Sequence, residues 1–144
     1  MADIHAVSIV ALDEDRFLLV RRGRAPSAGL YAFPGGRVER GETDEEAARR
    51  ELNEETNLTA ARLTALEHMT LEGDNGKRYR LAIFLAESLS GTLQASDDAA
   101  SAGWYSLDEM RALPITPSTL SVATRLIGNA RPLVVPPDSG KMSE

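Results

Sequence analysis

Runs of apolar residues divide the first part of the chain into short extended segments. Residues 5–12 and 16–21 are rich in Val, Ile and Leu, and the acidic residues 13–15 lie between them. This pattern predicts a β-hairpin with a tight turn. Residues 23–29 contain proline, serine and glycine and predict a loop, and residues 30–33 predict a short strand.

The clearest helix is predicted over residues 43–56. Thr43 is followed three residues later by Glu46, which is the pattern of a capping box at a helix N-terminus. The acidic residues of the first turn suit the helix dipole. Asn57 tolerates the left-handed backbone conformation and therefore predicts the end of the helix.

Two long strands are predicted next, over residues 62–71 and 77–86. The Asn-Gly pair within residues 73–76 is a strong hairpin signal between them. Both faces of the second strand carry apolar residues. We therefore expect the sheet to be covered on both sides, as in a layered α/β domain.

The last part of the chain predicts one strand and two helices. A polar loop over residues 91–101 precedes a short strand over residues 103–105. Ser106 and Glu109 again form a capping-box pattern, for a helix that runs to Leu113. A further helix is predicted from Pro117 to Gly128.

Length and composition narrow the class of protein. The chain has 144 residues, so we expect one domain over residues 1–130 and a tail over residues 131–144 that is either disordered or an interface arm. A net charge of −6 argues against nucleic-acid or membrane partners. The absence of cysteine excludes disulfides, thiolate zinc sites and cysteine nucleophiles. Without a signal pattern or an apolar run of membrane-spanning length, we expect a soluble, cytoplasmic protein.

An acidic cluster in and before the predicted helix is the first candidate site. Residues three and four apart share a helix face, so Glu51, Glu54 and Glu55 should point the same way. Three carboxylates on one spot repel each other unless a cation neutralises them, and all-oxygen ligation suits Mg²⁺ or Mn²⁺. For Glu45 and Glu46, an ordinary solvated face is the better interpretation.

The segments before this helix supply a second element. Gly35 and Gly36 lack a Cβ atom, so their backbone can approach a ligand or a metal closely. Basic residues near this loop would either hold an anionic substrate or be ordinary surface charges. They are Arg21, Arg22, Arg24 and Arg37.

These residues spell a pattern that resembles the Nudix box, Gly-x5-Glu-x7-Arg-Glu-U-x-Glu-Glu-x-Gly-U, in which U is aliphatic. The match runs from Gly36 through Glu42 to the segment 50–58, and its one departure is Asn57 in place of glycine. The segment 29–36 also looks like the usual Nudix lead-in. The resemblance covers roughly residues 5–128 and implies the Nudix α/β/α sandwich with a mixed central β-sheet.

The resemblance implies a role for each matched position. Glu51, Glu54 and Glu55 match metal-ligand carboxylates, and the carbonyl of Gly36 matches a backbone ligand. Arg50 matches the arginine that orients the glutamates, and Glu42 matches a supporting glutamate. The implied activity is Mg²⁺-dependent hydrolysis of a phosphoanhydride, in a nucleoside diphosphate linked to another moiety.

The implied proton acceptor for the attacking water is Glu51 or Glu54. Some family members use a glutamate outside the box, and relatives often have one where Ser101 stands in this chain. Either Asp97, Asp98 or Glu87 would then substitute for that glutamate, or the activity would be weak.

The substrate is open among nucleotides. The Asp-Asp-Ala-Ala loop at residues 97–100 is similar to that of small members often assigned to ADP-ribose, which favours ADP-ribose or a similar nucleotide sugar. The alternative is a MutT-like hydrolase of nucleoside triphosphates, including oxidised ones. A non-catalytic nucleotide sensor is the alternative of another class, although the intact set of box glutamates favours an enzyme. Many relatives are homodimers, so a homodimer is open to this chain as well.

Overall fold

The computed structural model describes residues 3–134. The elements in chain order are β1 (Ile4–Asp13), β2 (Arg16–Arg22), β3 (Tyr31–Ala32), β4 (Gly35–Arg37), α1 (Asp44–Thr56), β5 (Thr59–Glu72), β6 (Arg78–Ser90), β7 (Ala99–Ser106), α2 (Leu107–Arg111) and α3 (Pro117–Val134). Strands and helices are interleaved, which is the α/β class that the sequence predicts.

The strands form one mixed sheet of seven strands. Its main path is β3-β2-β1-β6-β5, with β4 paired to β1 and β7 paired to β2. The central strands β1 and β6 are parallel, whereas the other pairs are antiparallel. Parallel neighbours need a long crossover connection, and α1 lies within the connection between β1 and β6.

Each face of the sheet has its own hydrophobic core. On one face, Val7 and Ile9 of β1 pack with Leu52 of α1. On the other face, Val10 of β1 packs with Met110 of α2 and with α3. Full burial of a side chain such as Leu52 stabilises the fold by about 2–3 kcal/mol. The prediction that both faces are covered is confirmed.

Most predicted elements are present, and several are longer than predicted. Both hairpins and all three helices are confirmed, although the helix predicted to run to Leu113 ends at Arg111. The strand predicted over residues 103–105 spans Ala99–Ser106. The helix predicted to end at Gly128 continues to Val134. Strand β4 was not predicted. Residues 135–144 of the predicted tail lie outside the described residues.

None of the helices within residues 3–134 is both long enough and apolar enough to cross a membrane.

Candidate active site

Helix α1 carries the acidic residues, and local hydrogen bonds fix both of its ends. The Thr43 hydroxyl accepts a bond from the Glu46 N–H at 3.1 Å, and the Glu46 carboxylate accepts one from the Thr43 N–H at 2.9 Å. At the other end, Asn57 has a φ of 67°, and its N–H donates to the Asn53 carbonyl at 2.9 Å. The capping box and the left-handed stop predicted from the sequence are confirmed.

The three candidate ligands on α1 differ in exposure. Leu52 faces the core and fixes the rotation of the helix against the sheet. Glu55 is 4% exposed, the side chain of Glu51 is 12% exposed, and that of Glu54 is 41% exposed. The carboxylates therefore extend from the edge of the core to the surface along one side of the helix.

Arg50 joins most of these acids. Its Nε and Nη2 donate to the two oxygens of Glu42 at 2.6 and 3.0 Å, and its Nη1 donates to Glu51 at 3.0 Å and Glu54 at 3.1 Å. Its Nη2 also donates to the carbonyl of Arg37 at 3.0 Å. These contacts with Arg50 lower the pKa of Glu42 to about 2. The structure thus brings Arg50, Glu42, Glu51 and Glu54 together.

The inner two carboxylates lie against the glycines of β4. Burial raises the pKa of Glu51 to about 7 and the pKa of Glu55 to about 8. Glu55 accepts a hydrogen bond from the Gly35 N–H at 3.1 Å. A Cβ atom on Gly36 would collide with the Glu51 carboxylate, so only glycine leaves this carboxylate in place. The backbone of Gly35 and Gly36 thus lies against these two carboxylates, and its close approach to a ligand or a metal stays a prediction.

The chemistry of these donors fits a hard divalent cation. Buried carboxylates with raised pKa values are groups that a cation would neutralise, and the bare Gly36 backbone leaves room beside them. Within residues 3–134, no three acidic or histidine side chains converge closely enough to hold one ion in their present rotamers. Glu51 and Glu54 instead point to Arg50, and side-chain rotations would be needed to turn them to an ion.

A cavity of about 670 Å³ opens beside these carboxylates. Glu51, Glu55 and Gly36 form part of one wall, and the loop after β2 and the hairpin turn between β5 and β6 form others. A hydrogen bond from the Ser27 N–H to the Asp74 carboxylate, at 2.9 Å, joins that loop to that turn. The volume suits a small molecule of nucleotide size.

Three of the four predicted basic residues line this cavity. The Nε of Arg22 donates to the Pro26 carbonyl at 2.5 Å, and Arg24 pairs with Asp98 at 2.9 Å. Arg37 follows Gly36 directly and lines the cavity with its neighbours.

Arg21 does not line the cavity. Its Nε donates to the Gly29 carbonyl at 3.0 Å, and its guanidinium lies 5.9 Å from the centre of the Tyr31 ring. Neighbouring residues of a strand face opposite sides of a sheet, so Arg21 points away when Arg22 points in. We therefore do not place Arg21 among the residues that contact a molecule in this cavity.

Two further acids reach the site from other segments. Glu39 lines the cavity and lies 3.9 Å from the Nε of Arg50. Asp98 lines it as well, and its carbonyl accepts the Gly23 N–H at 2.9 Å. Glu39 belongs to the acidic cluster in and before the helix, but the sequence predicts no specific role for it. The only sequence feature that points to Glu39 is its position three residues before Glu42, and this spacing between two acidic residues is too common to indicate a site.

The candidate substitutes for the acid expected at Ser101 lie in different places. Ser101 itself pairs with Arg21 in the β2–β7 ladder and is outside the cavity lining. Asp97 is close enough to Glu51 for its charge to raise the pKa of that carboxyl slightly, after the larger effect of burial. Glu87 instead pairs with Arg62 at 3.1 Å and is not part of the cavity.

Comparisons with known proteins identify relatives of this chain. The NUDIX domain family model matches residues 4–126. The chain is 35% identical over 107 residues to an ADP-ribose pyrophosphatase of Methanocaldococcus jannaschii, an alignment that covers 73% of this chain and 63% of that protein. It is 32% identical over 103 residues to the oxidized purine nucleoside triphosphate hydrolase of Mus musculus, with 71% of this chain and 65% of that protein covered.

A solved structure of a NUDIX hydrolase is also similar to this chain. The crystal structure of a MutT NUDIX hydrolase from Burkholderia pseudomallei matches with a TM-score of 0.78 and 29% sequence identity. The match covers 87% of this chain and 98% of that one. The chain spans less than two thirds of the length of the curated relatives it matches.

Proposed function

Because this chain belongs to the NUDIX domain family, we propose that it is a divalent-metal-dependent hydrolase of a phosphoanhydride bond in a nucleotide. One observation carries the proposal. The buried carboxylate of Glu55 and the partly buried carboxylate of Glu51 line a nucleotide-sized cavity that three arginines also line. Hydrolysis of a phosphoanhydride with a divalent metal requires carboxylates that bind the cation and guanidinium groups that bind the phosphates.

The proposed metal ligands are Glu51, Glu54, Glu55 and the carbonyl of Gly36, with Mg²⁺ as the ion and Mn²⁺ as its substitute. When bound, such an ion neutralises phosphate charge and lowers the pKa of water. Arg50 would orient Glu51 and Glu54 through the hydrogen bonds that it donates to both. Glu42 would hold Arg50 in turn, since it accepts two of its bonds.

In the proposed reaction, a water oxygen forms a bond to phosphorus while the bridging P–O bond of the anhydride breaks. The leaving phosphate keeps the electron pair of that bond, and a carboxylate takes the proton of the water. Glu51 and Glu54 are the candidate proton acceptors. Glu51 is the better one because it lines the cavity, whereas Glu54 is not among the lining residues.

The favoured substrate is ADP-ribose or a similar nucleotide sugar, which the relative from M. jannaschii supports. Arg22, Arg24 and Arg37 would hold its diphosphate, and Arg24 would exchange its bond with Asp98 for one with a phosphate. A nucleoside triphosphate, including an oxidised one, is the second candidate, which the relative from M. musculus supports. A nucleotide sensor without turnover is the remaining alternative.

Several wider expectations accompany this function. The net charge of −6 favours a small nucleotide over nucleic acid as the partner. A cytoplasmic location and a homodimer stay predictions.

A substrate panel with matched variants tests the function. Product release should be measured with Mg²⁺ for ADP-ribose, nucleotide sugars, dinucleotides and nucleoside triphosphates. We expect Glu51→Gln and Glu54→Gln to lose at least about a hundredfold in kcat/KM. Glu45→Gln is the control, because Glu45 lies on the same helix but pairs with Arg49 outside the site. Nucleotide binding without turnover in the parent would favour the sensor, and equal activity in all variants would contradict the assigned site.

A further inference from the structure

The C-terminal end of α1 poses a physical problem for the proposed site. The last carbonyls of a helix have no partner within the helix, and uncapped last turns fray. Glu54 and Glu55, two of the proposed ligands, lie in that last turn, whereas Glu51 lies one turn earlier. The turn contains no basic residue, and the helix dipole disfavours acids at this end.

The loop before β7 supplies the missing partners. The Ser96 hydroxyl donates to the carbonyl of Glu54 at 2.5 Å, and the Ser96 N–H donates to the carbonyl of Glu55 at 3.2 Å. The Gln94 N–H donates to the carbonyl of Thr56 at 2.9 Å. Ser96 therefore caps the backbone of Glu54 and Glu55, two of the proposed ligands.

The same residue also begins the turn that leads into the cavity. The Ser96 carbonyl accepts the Ala99 N–H at 3.1 Å, and this turn encloses Asp97 and Asp98. Asp97 has a left-handed φ of 55°, and Asp98 lines the cavity. A single residue thus joins the last turn of α1 to the segment that closes one side of the cavity.

We propose that Ser96 is a positioning residue that holds Glu54 and Glu55 in register with Glu51 by capping the last turn of α1. The inference rests on the proposed metal site, which it deepens. Without the hydroxyl bond, the backbone at Glu54 leaves the helical conformation more often, and its carboxylate is then out of reach of an ion that Glu51 binds.

The test measures Mn²⁺ binding alone, by electron paramagnetic resonance of the free ion, without substrate. We expect Ser96→Ala to bind Mn²⁺ about fivefold more weakly, the factor that corresponds to one lost hydrogen bond. Ser96→Thr keeps the hydroxyl and should bind as the parent does. Amide hydrogen exchange in the last turn of α1 should become faster in Ser96→Ala by a similar factor.

Thr124→Ala is the matched control. The Thr124 hydroxyl also donates to a helix carbonyl, that of Leu120 at 2.7 Å, but it lies on α3. Thr124→Ala should bind Mn²⁺ as the parent does. Parent-like binding by Ser96→Ala, or binding by Ser96→Thr as weak as that of Ser96→Ala, would overturn the inference. A parent protein that binds no Mn²⁺ would overturn the proposed metal site and this inference with it. Failure of the metal site is therefore seen in the parent, and failure of the Ser96 inference alone is seen in the Ser96 variants.

Discussion

Alanine at the two adjacent glycines of β4 should have different effects: at Gly36 it should mainly weaken metal binding, and at Gly35 it should mainly lower the stability of the fold. On Gly36, an added Cβ would lie within 2.8 Å of the carbon and both oxygens of the Glu51 carboxylate. That group ends a flexible side chain and can rotate away. On Gly35, the Cβ would collide with the carbonyl oxygen of Val7 and lie 3.1 Å from the Cα of Ser8, and backbone atoms cannot rotate away.

The loss in the free energy of unfolding of each variant depends on which atoms must move to make room for the new Cβ atom. In Gly36→Ala, the Glu51 carboxylate loses its 3.0 Å bond with Arg50, which costs about 1–2 kcal/mol in the free energy of unfolding. In Gly35→Ala, β4 must separate from β1, with which Gly35 pairs at Ser8. Overpacking of this kind, together with weakened strand pairing, should cost about 3 kcal/mol or more.

Urea unfolding and Mn²⁺ binding measure the two effects separately. We expect Gly36→Ala to stay folded and to lose Mn²⁺ affinity by about tenfold or more, whereas Gly35→Ala loses mainly stability. Gly128→Ala, in α3, is the control, because a Cβ atom at this position would meet no atom within 4 Å. This substitution should stabilise the helix slightly. Parent-like Mn²⁺ binding by Gly36→Ala would refute the placement of the ion beside Glu51.

Two further predictions concern Arg50 and its partner. Arg50→Lys removes the planar guanidinium group that binds three glutamates, so we expect kcat/KM to fall about a hundredfold. Arg49→Lys, on the neighbouring residue, is the control and should lower kcat/KM by about threefold or less. Equal losses in a steady-state assay would contradict the role of Arg50. The pKa of Glu42 falls from 4.5 to about 2 in the fold, so ionised Glu42 stabilises it above pH 4.5 and loses this effect as the pH falls towards 2. Glu42→Gln should therefore lose less stability than the parent between pH 5 and pH 2 in acid-unfolding experiments, and parallel curves would count against the ion pair.

Features set by nearby residues could be predicted from the sequence. The ends of α1 follow from Thr43, Glu46 and Asn57, whose hydrogen bonds and φ angle depend on residues at most four positions away. The resemblance to the Nudix box is confirmed as family membership. The cover on both faces of the sheet was predictable because both faces of β6 carry apolar residues, whereas the mixed sheet was implied by the resemblance.

Features set by distant pairing could not be predicted. Strand β4 has three residues, too few for any periodicity, and it exists because Gly36 pairs with Val7 of β1. Arg21 and Arg22 are adjacent and chemically identical, so composition cannot say which of them faces the cavity. Their alternation along β2 decides it, because Arg22 lines the cavity while Arg21 contacts Gly29 and Tyr31 outside it.

The same distinction explains why the chemistry of the site is easier to infer than its substrate. The carboxylates lie on one helix, so their spacing along the chain fixes their arrangement in space. The opposite walls of the cavity come from separate segments that meet only through contacts such as Ser27 with Asp74, 47 positions apart, and Arg24 with Asp98. Substitutions in these loops change the shape of the cavity without touching the box. We therefore expect the choice between the two proposed substrates, a nucleotide sugar and a nucleoside triphosphate, to depend on these loops.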